Sequence, residues 1–95
     1  MELARLQQEL RPLCIETGIE RLGVFGSVAR GEDGAESDID LVVSFENPVG
    51  IFELIDLEER LEKIIGRSVD LGTLAGLHPL IKDNVERDLK IIYEK

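Results

Sequence analysis

Ser37-Asp38-Ile39-Asp40-Leu41-Val42-Val43 sets two carboxylates two residues apart at the head of an apolar run. Past Asp40 the run is almost continuously apolar, which predicts a strand over 38–45 buried on both faces. Alternate residues of a strand share a face, so Asp38 and Asp40 project together while Ile39 and Leu41 point the other way. Two like charges side by side repel, and at least one protonates unless a cation lies between them. Such a pair reads as a metal ligand set.

Upstream, Arg21-Leu22-Gly23-Val24-Phe25 reads as a short strand, and Gly26-Ser27 as a turn from it into a brief helix. Leu3, Leu6, Leu10 and Leu13 recur at helical spacing, predicting an amphipathic helix over 1–17 that Gly18 ends. Pro12 lacks a donor and is expected to kink or split that helix near Leu10. Residues 31–36 read as an acidic, Gly-punctuated loop. Downstream, Asn47-Pro48 is expected to open a helix whose stripe is Ile51, Leu54, Ile55, Leu61, Ile64 and Ile65, with Gly66 ending it. Ser68-Val69-Asp70-Leu71 reads as a third strand. A last helix follows from His78-Pro79 with Leu80, Ile81 and Val85, and 90–93 closes as a final strand. Strands separated by helices predict an α/β layer with some parallel pairs, in one domain spanning 1–95.

With 95 residues the core must be small, and the charged share of 33% is somewhat high without marking a disordered segment. The net charge of −9 argues against direct nucleic-acid binding, which needs Lys and Arg to displace phosphate counterions. A basic protein partner or bound divalent metal suits it better. Cys14 is the only cysteine, so no intrachain disulfide forms, in keeping with a reducing compartment. Its place on the apolar stripe puts it in the core. The absence of a leader-like segment and of a long apolar span gives the expectation of a soluble, cytoplasmic protein with no membrane contact.

Three features carry the chemistry. The Gly26-Ser27 bend between strand and helix offers backbone N–H groups and a helix dipole to phosphate, with the Ser27 hydroxyl and the Arg30 charge close behind. Asp38 and Asp40 form the second feature. Asp70, a lone carboxylate in an apolar strand, is the third; if its strand lies beside that of Asp38, three carboxylates cluster. Hard cations such as Mg²⁺ take oxygen ligands and typically use one or two carboxylates plus substrate phosphates. Two such ions suit an in-line displacement at phosphorus, a reaction that is mostly positioning and charge neutralisation.

Plainer readings stand beside these. Gly26-Ser27 also fits a tight turn with a helix cap. Asp38 also fits a strand-entry residue, whereas Asp40 among apolar neighbours resists a structural account because a buried unpaired carboxylate is costly. A salt bridge would explain Asp70, and Arg30 could pair with the acidic loop. His78 reads as a helix-start or surface residue, and Glu32, Asp33 and Glu36 as solvated charges. Apolar residues of the central helix that prove exposed would mark a partner surface.

Gly26-Ser27, Arg30-Gly31, Ser37-Asp38-Ile39-Asp40-Leu41 and Val69-Asp70-Leu71 resemble the nucleotidyltransferases of the DNA polymerase β superfamily, and more narrowly the minimal nucleotidyltransferases, or MNT proteins. The likeness runs from the first helix to Ile92-Tyr93. It implies a small mixed sheet flanked by helices, with Asp38 and Asp40 binding two Mg²⁺ and Asp70 assisting the ion that activates the acceptor. It implies that Gly26 and Ser27 hold nucleotide phosphates, with ATP the expected substrate. Relatives of this size often act as antitoxins of a helical HEPN toxin, and some transfer AMP from ATP to a toxin tyrosine. Larger relatives add a helical acceptor-binding domain that has no counterpart here, so a partner protein would supply the acceptor hydroxyl, in a hetero-oligomer or with a homo-oligomer. Two rivals to that enzyme remain: an antitoxin that neutralises its partner by masking, and the catalytic subunit of a two-chain small-molecule transferase.

Overall fold

A computed structural model of the chain describes residues 2–26, 29, 31, 34, 38–73 and 89–95. The elements run α1 (Leu3–Thr17), β1 (Ile19–Phe25), β2 (Ile39–Phe45), α2 (Ile51–Ile65), β3 (Val69–Thr73) and β4 (Lys90–Glu94). Leu6, Leu10, Leu13 and Cys14 make the buried stripe of α1, and Gly18 ends the helix at φ 72° with its N–H donated to the Cys14 carbonyl. The helix continues unbroken through Pro12, contrary to the expected split. Pro12 and Gln8, whose carbonyl loses its helical donor, both lie on the exposed side, where water can replace the bond. The buried stripe meanwhile holds both halves against the sheet.

The second helix begins at Ile51, later than the expected opening at Asn47-Pro48. Its first turn is fixed instead by Gly50, whose carbonyl accepts from the Leu54 amide and whose own N–H is donated to the Glu53 carboxylate. Leu57 and Leu61 are its buried anchors, and Gly66 ends it in the left-handed conformation. The chain then enters β3, so β2, α2 and β3 form a crossover unit with parallel strands. Strand order is β3-β2-β1-β4, with β1 antiparallel to both β2 and β4. The mixed α/β architecture expected from the sequence is therefore present.

One sheet face meets both helices. Leu22, Val24, Ile39, Leu41, Val43, Val69 and Leu71 join the helix stripes in a single buried cluster. Asp40, Val42 and Ser44 alternate onto the other face of β2. Val42 is buried there as well, which agrees with a strand covered on both faces past Asp40. Of the brief helix expected after Gly26, Ala29 is described, helical and buried. The helix expected from His78-Pro79 lies outside the described residues, as do Ser27, Arg30, Glu32, Asp33 and Glu36.

Candidate functional site

Strand register assembles the site. Asp40 pairs with Asp70 across the parallel β2–β3 ladder, while its other neighbour, across β1, is Phe25. Neighbouring strands lie about 4.8 Å apart, so two carboxylates on one face at one register position are direct neighbours. The packing underneath sets that register: Ile39 against Val69 and Leu41 against Leu71 are buried pairs flanking the two aspartates. Asp40 is half-buried and Asp70 exposed. Asp38, exposed, stands immediately before β2. Among the described residues no three His, Cys, Asp or Glu side chains stand close enough to hold a metal ion. The structure thus puts Asp40 beside Asp70 and keeps Asp38 near in sequence, without gathering all three to ligand distance.

Gly26 joins the pair from above. It follows Phe25 at the end of β1, and the chain bends there at φ 76°. A Cβ on Gly26 would lie 2.6 Å from Asp40 Oδ2, far inside ordinary contact. Backbone and carboxylate therefore approach as closely as only glycine permits, with the bend set against Asp40. Ser27 and Arg30, the other phosphate-binding candidates, are among the residues not described.

The charge around Asp70 is strongly negative. Burial, followed by the charges of Glu62, Asp70 and Glu59, pushes the Glu58 carboxyl above its ordinary value. Among the described residues Asp70 makes no ion pair, so no salt bridge there accounts for a carboxylate at this position. Cys14 plays no part; burial pushes its thiol up to about 11 and leaves it an inert core residue.

The donors at the pair are carboxylate oxygens alone, the chemistry of a hard cation. Two adjacent carboxylates fit Mg²⁺ that completes its shell with water and substrate phosphate, as that ion commonly does. Sequence reasoning missed Glu58 and Arg67. Arg67 donates from Nη2 to the Gly34 carbonyl at 2.8 Å, a contact across the fold that leaves no local pattern in the sequence.

Residues 5–92 match the nucleotidyltransferase domain family. The chain is 40% identical over 72 residues to the protein adenylyltransferase MntA of Thermococcus cleftensis, covering 76% of this chain and 73% of that protein. A solved structure provisionally assigned as a minimal nucleotidyltransferase is 36% identical and superposes with a TM-score of 0.80, covering 95% of each chain. A chain from the complex of a tri-AMPylated Shewanella oneidensis HEPN toxin with its MNT antitoxin superposes with a TM-score of 0.76. That match covers 99% of this chain and 74% of the other, and at 17% identity it shows a shared fold.

Proposed function

The chain belongs to the nucleotidyltransferase domain family and is a nucleotidyltransferase, and from that premise we propose that it transfers AMP from ATP to a hydroxyl of a partner protein. The observation that carries the reading is the Asp40–Asp70 register pair beneath the Gly26 bend. Asp40 and Asp70 would hold Mg²⁺, with Asp38 drawn in beside them as the ion binds, and the ion would neutralise triphosphate charge and activate the acceptor hydroxyl. Gly26 lets the backbone approach phosphate oxygens, with Ser27 and Arg30 as further phosphate contacts. The acceptor oxygen bonds to the α-phosphorus and pyrophosphate leaves. Nothing bulky is needed beyond positioning, which suits a sheet whose register is locked by its core.

We assign the acceptor to a tyrosine of a helical HEPN-type partner, with this chain as the antitoxin. The adenylyltransferase relative and the AMPylated toxin complex that shares the fold support that assignment. Val49, Ile51, Phe52 and Ile55 are exposed around the start of α2, Phe52 at 83%, beside Glu53 and Asp56. Such an apolar, acid-rimmed surface suits a partner with basic residues around an apolar contact. It equally favours a second reading, neutralisation by masking.

Labelled ATP, Mg²⁺ and a candidate HEPN-type helical protein provide the test. Label should pass to the partner, and Asp40→Asn should abolish transfer. Labelling that survives Asp40→Asn refutes the chemistry. A double Asp38→Asn/Asp40→Asn protein that still neutralises its partner selects masking.

A further inference from the structure

Two hydrogen bonds from one short turn bracket Asp38. Immediately after α2, Arg67 donates from Nη2 to the Gly34 carbonyl at 2.8 Å. Its neighbour Ser68 accepts, at its carbonyl, the Ile39 N–H at 2.9 Å. Asp38 lies between these two anchored positions and directly precedes the second. The turn is itself braced: Glu62 of α2 accepts the Val69 N–H at 3.0 Å, tying the start of β3 back to the helix. Arg67 is half-buried and shares a groove with Leu6, Ile64 and Ile65, so its long side chain is supported along its stem. Two residues beyond Arg67 begins the strand that carries Asp70.

We propose that Arg67 is a positioning residue: it clamps the approach to β2 so that Asp38 is presented at a fixed place relative to the Asp40–Asp70 pair. This rests on the carboxylates acting as proposed above. The physical need is specific. Asp38 lies outside the β-ladder and is exposed, so strand pairing does not hold it as it holds Asp40. A ligand carboxylate misplaced by about 1 Å costs on the order of 10²-fold in rate. The Arg67 bond at Gly34 and the Ser68 bond at Ile39 hold the chain at a position on either side of Asp38.

The test uses the intact protein with Arg67→Ala, Arg67→Lys and Arg60→Ala, the last removing an equal charge from the exposed pair with Glu16. Hydrogen exchange at the Ile39 amide, Mn²⁺ affinity and steady-state AMP transfer are measured for each. In Arg67→Ala, Ile39 exchange should rise about tenfold while the Leu22–Val24 amides of β1 stay protected. Mn²⁺ affinity should fall about tenfold, and kcat by roughly 10- to 100-fold with the KM for ATP within about threefold. Arg67→Lys should recover most of each, since an ammonium can donate to the same carbonyl, and Arg60→Ala should match the unaltered protein. Unchanged Ile39 exchange in Arg67→Ala overturns the clamp, as does raised exchange with unchanged Mn²⁺ affinity and kcat. Asp40→Asn separates the two ideas. Full transfer in that variant sinks the carboxylate mechanism and this proposal with it. Loss there alongside normal turnover in Arg67→Ala sinks the clamp alone.

Discussion

Replacing Gly26 by alanine should damage chemistry far more than stability, and a second glycine serves as the control. At φ 76° an alanine adopts the left-handed conformation at a cost of about 1–2 kcal/mol. For a domain of this size that lowers the melting temperature by roughly 5–15 °C. The new Cβ also meets Asp40 Oδ2 at 2.6 Å, so the carboxylate must retreat by about 0.8 Å to reach the ordinary contact of 3.4 Å. A shift of that size in a ligand group lowers turnover by on the order of 10²-fold. Gly18 has nearly the same backbone angle, φ 72°, yet nothing lies within 4 Å of its Cβ position. Gly18→Ala therefore carries the backbone cost alone. Thermal melts and transfer of label from ATP to the partner, run on both variants, divide the two contributions. Equal loss of stability with activity lost only in Gly26→Ala is the expected result. Normal turnover in Gly26→Ala, at temperatures where it is folded, would refute a carboxylate held against the bend.

Glu58 holds its proton more tightly in the folded chain, so its favourable contribution exists below the ordinary value of 4.5 and disappears as pH rises through the folded value. Glu58→Gln should accordingly raise stability at pH 7 and leave it unchanged near pH 3, as urea titrations at the two pH values will show. The Cys14 thiol, pushed from 9.0 up to about 11, likewise favours the folded state less as pH climbs. Stability should decline between pH 9 and pH 11, Cys14→Ala should remove that decline, and the native thiol should resist alkylation at pH 8. Leu61, fully buried, should cost about 2–5 kcal/mol on truncation to alanine. Phe52→Ser, at a position 83% exposed, should stay within about 0.5 kcal/mol while weakening capture of the helical partner, measured by titration.

Elements with strong local signals were legible from the residues alone. Leucine spacing with Gly18 as a stop gave α1, and the apolar run after Asp40 gave β2 as a strand covered on both sides. Two boundaries misled for one reason: proline rules describe an isolated helix. Pro12 is carried by tertiary packing of the surrounding stripe, and Pro48 is overruled by the bond that the Gly50 N–H donates to the Glu53 carboxylate. Asp38 and Asp40 stood out as candidates because their spacing is local, and of the two β2 takes in only Asp40. That Asp70 stands at the register position of Asp40 is a property of the sheet, and the sequence offered it only as a condition. The Arg67–Gly34 contact and the effect of the Asp70 charge on Glu58 lie beyond any reading of neighbours, since each joins positions that meet only after folding.

The aliphatic ladder beneath the carboxylates has a consequence for how this protein tolerates change. Ile39 facing Val69 and Leu41 facing Leu71 act as a ruler for the charges above them. A slip by one residue would swing one aspartate to the opposite side of the sheet. Greasy side chains on the far face thereby set the spacing on which the proposed chemistry depends, and trimming them should dull that chemistry before the chain unfolds.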